Sequence, residues 1–225
     1  IPLLNGVDIA DRLASVLGQE AVLGGLCYIS CAIAEPGLIR HTGSMERLLF
    51  GERQTGEGHS GEEQSNEQSG VSTDRAQALL EAFTAAGIHA ELSENIGQEI
   101  WNKFLFLSAI AGICALTRST LGPVLATPET LALLLDCLRE IEAVARAQGV
   151  NLKPQAAEAT LSFMQGLPAH TKPSLLLALE QNKPLELDAL NGTVVRLGVA
   201  LGVPTPINAF ICAALKPHAN PLADS

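Results

Sequence analysis

The chain is poor in aromatic residues, with one Trp, one Tyr and six Phe among 225 residues, and it lacks any run of basic side chains. With 14 Lys and Arg against 24 Asp and Glu the formal charge is -10, and no segment gathers cations into a patch able to track phosphates. A nucleic-acid partner is therefore not expected. Long hydrophobic runs are also missing. The longest, 104–116, is interrupted by Ser108 and Gly112 and falls short of the ~20 residues that cross a bilayer. It reads as a buried helix, and no membrane partner is expected. No basic stretch leading into an apolar one opens the sequence, so a secretory leader is not expected. The five cysteines (Cys27, Cys31, Cys114, Cys137 and Cys212) all sit in apolar segments and read as reduced, buried thiols of a cytoplasmic protein. Cys27 and Cys31 have no histidine pair at ligand spacing beside them, so no metal site is expected.

What is present is a large stock of core-forming residues. The 47% hydrophobic content excludes a disordered chain and suffices for one large domain or two small ones. Residues 1–6 read as the end of a strand running into an Asn5-Gly6 turn with no earlier element to pair with, as if the chain opened inside a domain. Residues 21–34 are rich in β-formers, Glu35-Pro36-Gly37 supplies a turn, and 38–41 and 47–50 continue the pattern, which predicts a hairpin. Between 51 and 74 the composition shifts to Gly, Ser, Glu and Gln. Six acids there (Glu52, Glu57, Glu62, Glu63, Glu67, Asp74) against Arg53 give a local charge of -5, half of the total, in what reads as a solvated loop.

A helix is predicted over 74–86, with Gly87 beyond its C-terminus, and a strand over 88–92. After Ser93 the pattern is helical throughout. Helices are expected over 95–116, from Thr127-Pro128-Glu129 to Gly149, over 154–165, over 184–201 and over 207–215. The fold expected is an α/β part of a Rossmann-type domain over 1–92, followed by an all-α domain over 93–225.

Four local motifs recur in a fixed order: Asn5-Gly6 after a strand, Trp101-x-Lys103 at the head of an apolar helix, Ala115-Leu116-Thr117 at its end, and Glu186-x-Asp188-x-x-Asn191-Gly192 near the C-terminus. Together with Gly202-Val203-Pro204-Thr205-Pro206 they resemble the ketopantoate reductase family, the 2-dehydropantoate 2-reductases, from residue 1 to about Pro217. The resemblance implies a Rossmann domain followed by a helical domain like that of 6-phosphogluconate dehydrogenase. It implies NADPH as cofactor, a small 2-keto acid as substrate, pantoate as product for pantothenate synthesis, and a possible homodimer. It also implies that Lys103 is the general acid that protonates the ketone oxygen, a role that suits a lysine whose pKa is drawn toward the working pH by partial burial. Glu186 is then the catalytic carboxylate on the substrate's hydroxyl side, Ser174 holds the substrate carboxylate, and Asn5 places the nicotinamide and the reacting carbonyl.

Each of these residues has a plainer reading. Lys103 could snorkel from a buried helix, Glu186 could sit in the first turn of its helix for the macrodipole, Ser174 could be an ordinary cap and Asn5 a turn residue. Asn191-Gly192 suits close helix packing and a cleft role equally. Leu107 and Ala111, one and two turns after Lys103, occupy positions where many pantoate-forming members carry asparagine, and Ala178 stands where an aspartate is common. No Gly-x-Gly-x-x-Gly joins the end of a predicted strand to the start of a predicted helix, so no cradle for a pyrophosphate is expected in this chain. The competing readings are a non-catalytic helical scaffold and a related dehydrogenase for another 2-keto acid.

Overall fold

The computed structural model describes residues 1–53 and 73–220. The chain divides into two compact units, Ile1–Ile100 and Trp101–Ser225. The first is α/β and the second all-helical, as the sequence predicts. Most of the acidic segment expected to be a solvated loop, 54–72, lies outside the described residues.

In the first unit, β1 (Gly24–Glu35) and β2 (Leu38–Gly51) form the expected antiparallel hairpin, and β3 (Ala90–Leu92) joins β2 in parallel. Pro36 and Gly37 make the turn between the paired Glu35 and Leu38, with Gly37 at φ +83°, a conformation glycine adopts without a Cβ penalty. Alternation along β2 divides two small cores. Leu49 packs with Leu26 and Ile96 on one face, while Leu48 and Phe50 pack on the other with Ala76 of α2 (Asp74–Ala85). Phe50 meets Phe83 edge to face at 5.4 Å between ring centroids. Thr73 caps α2 by accepting from the Ala76 amide at 3.3 Å, and its hydroxyl donates to Glu52, which also accepts from Arg75 Nε at 2.8 Å.

Two expectations for this unit are corrected. Residues 1–6 form no strand, because Pro2 has no N–H to give a ladder and Gly6 takes φ +130°. The segment nevertheless lies along β1: the Cys27 thiol donates to the Leu3 carbonyl at 3.6 Å, and a Cβ on Gly25 would stand 3.0 Å from the Pro2 carbonyl. A helix not expected from the sequence follows it, α1 (Ile9–Leu17). Secondly, Cys31 is exposed, because β1 is exposed from Ile29 to its end at Glu35, and Cys27 and Cys212 are only half-buried. All five cysteines are free thiols.

Helix α3 (Ile96–Thr117) begins in the first unit and runs on into the second. Asn95 caps it by accepting from the Gln98 amide at 3.1 Å. Ala109, Ile110, Ala111, Ile113, Cys114 and Ala115 are all buried, so no face of this stretch is left for solvent. By length and composition α3 is the one helix among the described residues able to cross a membrane, but most of it is buried inside the protein.

The second unit continues with α4 (Leu121–Ala126), α5 (Pro128–Ala147), α6 (Ala156–Gln165), α7 (Ser174–Glu180), α8 (Asn191–Leu201) and α9 (Pro206–Leu215). In α5 the buried Leu134, Cys137, Leu138, Ile141, Val144 and Ala145 recur at three- and four-residue spacing; each fully buried Leu or Ile contributes roughly 1.5–3 kcal/mol. Pro128 takes the first helical position, but the Thr127 hydroxyl donates back to the Pro123 carbonyl at 3.0 Å and leaves α5 uncapped by it. Glu142 of α5 accepts from the Ala157 amide at 2.7 Å and so holds the start of α6.

The helix expected over 184–201 is two elements, a 3-10 turn at Glu186–Asp188 and α8, because Leu190 at φ -100° and ψ -103° breaks the helical path. Leu187, Leu190 and Val194 of its apolar stripe are buried, whereas Leu201 is exposed. The short helices α4 and α7 were not expected, since six and seven residues are too few to show a period.

Burial pushes the Cys114 thiol up to about 12 and raises that of Cys137 as well, so both stay protonated at neutral pH. In the native protein iodoacetamide is expected to modify Cys31 and to leave Cys114 and Cys137 untouched until guanidinium unfolds the chain, as peptide mass spectrometry reads. Native labelling of Cys137 contradicts the packing of α5.

The Arg75 guanidinium, and after it the Thr73 hydroxyl, hold the Glu52 carboxyl below its usual 4.5. A depressed folded value stabilises the protein above 4.5, and that contribution is lost as pH falls through the folded value. Glu52→Gln is expected to lower the urea midpoint at pH ~7, with the gap to wild type closing in acid. An equal gap at all pH values refutes the pairing.

Candidate active site

Asn5 lies in the first unit, whereas Lys103, Ser174 and Glu186 lie in the second. Asn5 is half-buried in a bend ahead of α1, not at the end of a strand as expected. Its amide offers both a donor and an acceptor.

Lys103 is half-buried on α3, between the buried Trp101 and Phe104, whose rings meet edge on at 5.5 Å. It is the eighth residue of α3, ahead of the fully buried stretch that begins at Ser108. The positions one and two turns further on are Leu107, half-buried, and Ala111, fully buried. Hydrocarbon therefore follows Lys103 along its own row of the helix.

Glu186 opens the 3-10 turn and is exposed, while its neighbour Leu187 is fully buried. Since α8 starts only at Asn191, Glu186 is outside the first turn of that helix, and the macrodipole reading of it is corrected. Other bonds hold the turn. The Leu185 amide donates to the Ala219 carbonyl at 3.0 Å, Arg196 Nη1 donates to the Asp188 carbonyl at 3.0 Å, and Lys216 pairs with the Asp188 carboxylate at 3.2 Å. The turn is thus fastened on both sides of Glu186, and its carboxylate is presented from a fixed backbone.

Ser174 is the first residue of α7 and is exposed, with Pro173 in the capping position. The loop before it is strapped to α4: the Leu121 amide donates to the Thr171 carbonyl at 3.0 Å and the Gly122 amide to the Ala169 carbonyl at 2.8 Å. A Cβ on Gly122 would stand 2.7 Å from that of Ala169, so only glycine allows the approach. Lys172 pairs with Glu180 at 2.8 Å across α7. Ala178, where the family resemblance leads one to expect an aspartate, is half-buried on the same short helix.

A group of buried polar residues near these elements was not singled out from the sequence, apart from Asn191. Ser108, Asn191 and Asn208 have no exposed surface. Asn191 Nδ2 donates to the Ser108 carbonyl at 3.2 Å and to Asn208 Oδ1 at 2.9 Å, and Asn208 Nδ2 donates to Glu140 Oε2 at 2.7 Å. Glu140 also accepts from the amides of Ile207 at 2.8 Å and Asn208 at 3.0 Å, so a carboxylate from α5 caps α9. The one sequence signal was polar Asn191 and Asn208 within otherwise apolar stretches. The close-packing reading of Asn191-Gly192 is the one these contacts favour.

No group of three or more His, Cys, Asp and Glu side chains placed to hold a metal ion occurs among the described residues. Gly56-Glu57-Gly58-His59-Ser60-Gly61 does have the glycine spacing of a dinucleotide turn. It lies outside the described residues, and in the sequence residues 62–73 separate it from α2, with the acids Glu57, Glu62 and Glu63 in or beside it.

Comparison with known proteins bears on the whole chain. The model of the ketopantoate reductase PanE/ApbA C-terminal domain matches residues 95–219, and the companion ketopantoate reductase PanE/ApbA model matches 1–55. The uncharacterized oxidoreductase YkpB of Bacillus subtilis is 33% identical over 96% of this chain and 66% of its own length. A 2-dehydropantoate 2-reductase of Mesorhizobium japonicum is 31% identical over 95% of this chain and 60% of its own. The crystal structure of a PanE/ApbA family ketopantoate reductase from Ralstonia eutropha superposes with a TM-score of 0.79 at 31% identity, over 97% of this chain and 65% of that one. The chain thus spans 60–66% of the length of these curated relatives. On the match that covers Lys103, Ser174, Glu186 and the helices carrying them, the chain belongs to the ketopantoate reductase PanE/ApbA family.

Proposed function

We propose that the intact protein is an NADPH-dependent oxidoreductase that reduces 2-dehydropantoate, or a similar 2-keto acid, to the 2-hydroxy acid, and so serves pantothenate synthesis. The observation that carries this reading is Lys103, half-buried on α3 ahead of that helix's fully buried stretch and inside the matched segment. A lysine ammonium is able to serve there as the proton donor to a ketone oxygen. Lys103 protonates the ketone oxygen, Glu186 accepts from the resulting hydroxyl, and the Ser174 hydroxyl donates to the substrate carboxylate. NADPH, when bound, supplies the hydride. Of the described residues Asn5 suits its nicotinamide end, since a half-buried amide can both donate to and accept from a carboxamide. The partners on this reading are a small 2-keto acid and a second copy of the chain.

One observation favours a second reading. The row of α3 beyond Lys103 is Leu107 and Ala111, which offer no hydrogen bond to a hydroxylated substrate. A 2-keto acid with a plain hydrocarbon side chain fits that row better than 2-dehydropantoate.

In the intact protein Lys103→Ala is expected to lower kcat by ~10²-fold or more, as for loss of a general acid, with an unchanged Tm. Wild-type turnover in that variant removes Lys103 from the mechanism. NADPH is expected to raise the Tm by mass action. Comparing kcat/KM for 2-dehydropantoate and 2-oxoisovalerate separates the two substrate readings, a higher value for 2-oxoisovalerate favouring the second.

A further inference from the structure

We propose that Asn191 is a positioning residue for the reaction, one that fixes the separation of Lys103 and Glu186 without touching the substrate. The proposal rests on the assignment of those two residues as the reacting pair.

Asn191 makes a side-chain link between α8 and the helix that carries Lys103. Its Nδ2 donates to Ser108, five residues after Lys103, and Asn191 itself stands five residues after Glu186. The two groups are thus equally far along the chain from the ends of one hydrogen bond.

The orientation of this amide is dictated from the far end of the network. The Glu140 carboxylate can only accept, so Asn208 must turn Nδ2 toward it and Oδ1 toward Asn191. Asn191 must then present Nδ2, and the same NH2 group reaches the Ser108 carbonyl at 3.2 Å. Gly112 closes the arrangement: a Cβ there would lie 2.8 Å from both Nδ2 and Oδ1 of Asn191, so α3 and the amide are in direct contact.

Stability does not account for the amide. Asn191 Oδ1 and Ser108 Oγ are buried without a hydrogen-bond partner among the described residues. An unsatisfied buried polar atom opposes folding, whereas an apolar side chain of the same shape avoids that cost. Removing Asn191 leaves Asn208 Oδ1 still accepting from the Cys137 thiol at 3.7 Å. A leucine at this position therefore keeps the packing and loses only the link, while a displacement of ~1 Å between reacting groups costs as much as ~10²-fold in rate.

The test uses the intact protein with NADPH and its best 2-keto acid. Asn191→Leu is expected to keep the Tm of wild type, to keep the KM for NADPH, and to lose kcat by at least ~10-fold. The KM for the 2-keto acid is expected to stay close to wild type, so that the loss falls on kcat. Gly112→Ala, which pushes the amide aside without removing it, is expected to lose kcat in the same way and serves where Asn191→Leu does not fold. Wild-type kcat in a folded Asn191→Leu, or in Gly112→Ala, or a loss that falls on KM instead of kcat, overturns the proposal. Lys103→Ala in parallel separates the two levels: an inactive Lys103→Ala beside a fully active Asn191→Leu sinks the positioning role alone, and an active Lys103→Ala sinks the site assignment with it.

Discussion

Helix α3 is the constraint on which the second unit depends. From Ala109 to Ala115 its residues are buried whichever way they point, so its neighbours must approach on every side. Small residues make that possible. Where Gly112 stands, the side chain of Asn191 takes the place a Cβ would need. A helix enclosed in this way can present a charged group only outside the enclosed stretch, and Lys103 stands five residues before Ser108, where that stretch begins.

The polar network from Glu140 through Asn208 and Asn191 to Ser108 belongs to the same constraint. Each of its hydrogen bonds adds only about 0.5–1.5 kcal/mol net, and an unsatisfied buried partner costs about 1–3 kcal/mol. Its larger effect is on geometry, since a carboxylate that only accepts sets the direction of two amides in series. The exposed ion pairs act differently. Arg47 with Glu91 at 2.6 Å and Lys172 with Glu180 at 2.8 Å face water, where such pairs are worth roughly 0–1 kcal/mol. They steady local backbone around the sheet edge and α7 and contribute little more.

The candidate site residues lie on segments that owe their rigidity to different causes. Lys103 rides on a long helix held by apolar packing, whereas Glu186 and Ser174 ride on a three-residue turn and the head of a seven-residue helix. Those short elements are held by individual bonds, Leu185 to Ala219 for the one and Leu121 to Thr171 for the strap ahead of the other. Short elements have too few internal bonds to stand alone. Their positions are therefore properties of the surrounding fold.

By itself the sequence determined the class of fold, the hairpin, the long helices and the order of the candidate site residues. Period and capping are local physics, readable over a few residues, and the motif around Trp101 and Lys103 keeps its chemistry within one helical turn. Only the tertiary structure decided what distant parts do to one another. It broke the helix expected over 184–201 at Leu190, left Cys31 exposed, and kept residues 1–6 out of the sheet. It also brought Glu140, Asn208, Asn191 and Ser108 together across 83 residues of chain between the last two. The physical reason is the same in each case: whether a polar group is satisfied, or an apolar one covered, depends on residues far away in the chain, and no local pattern records them.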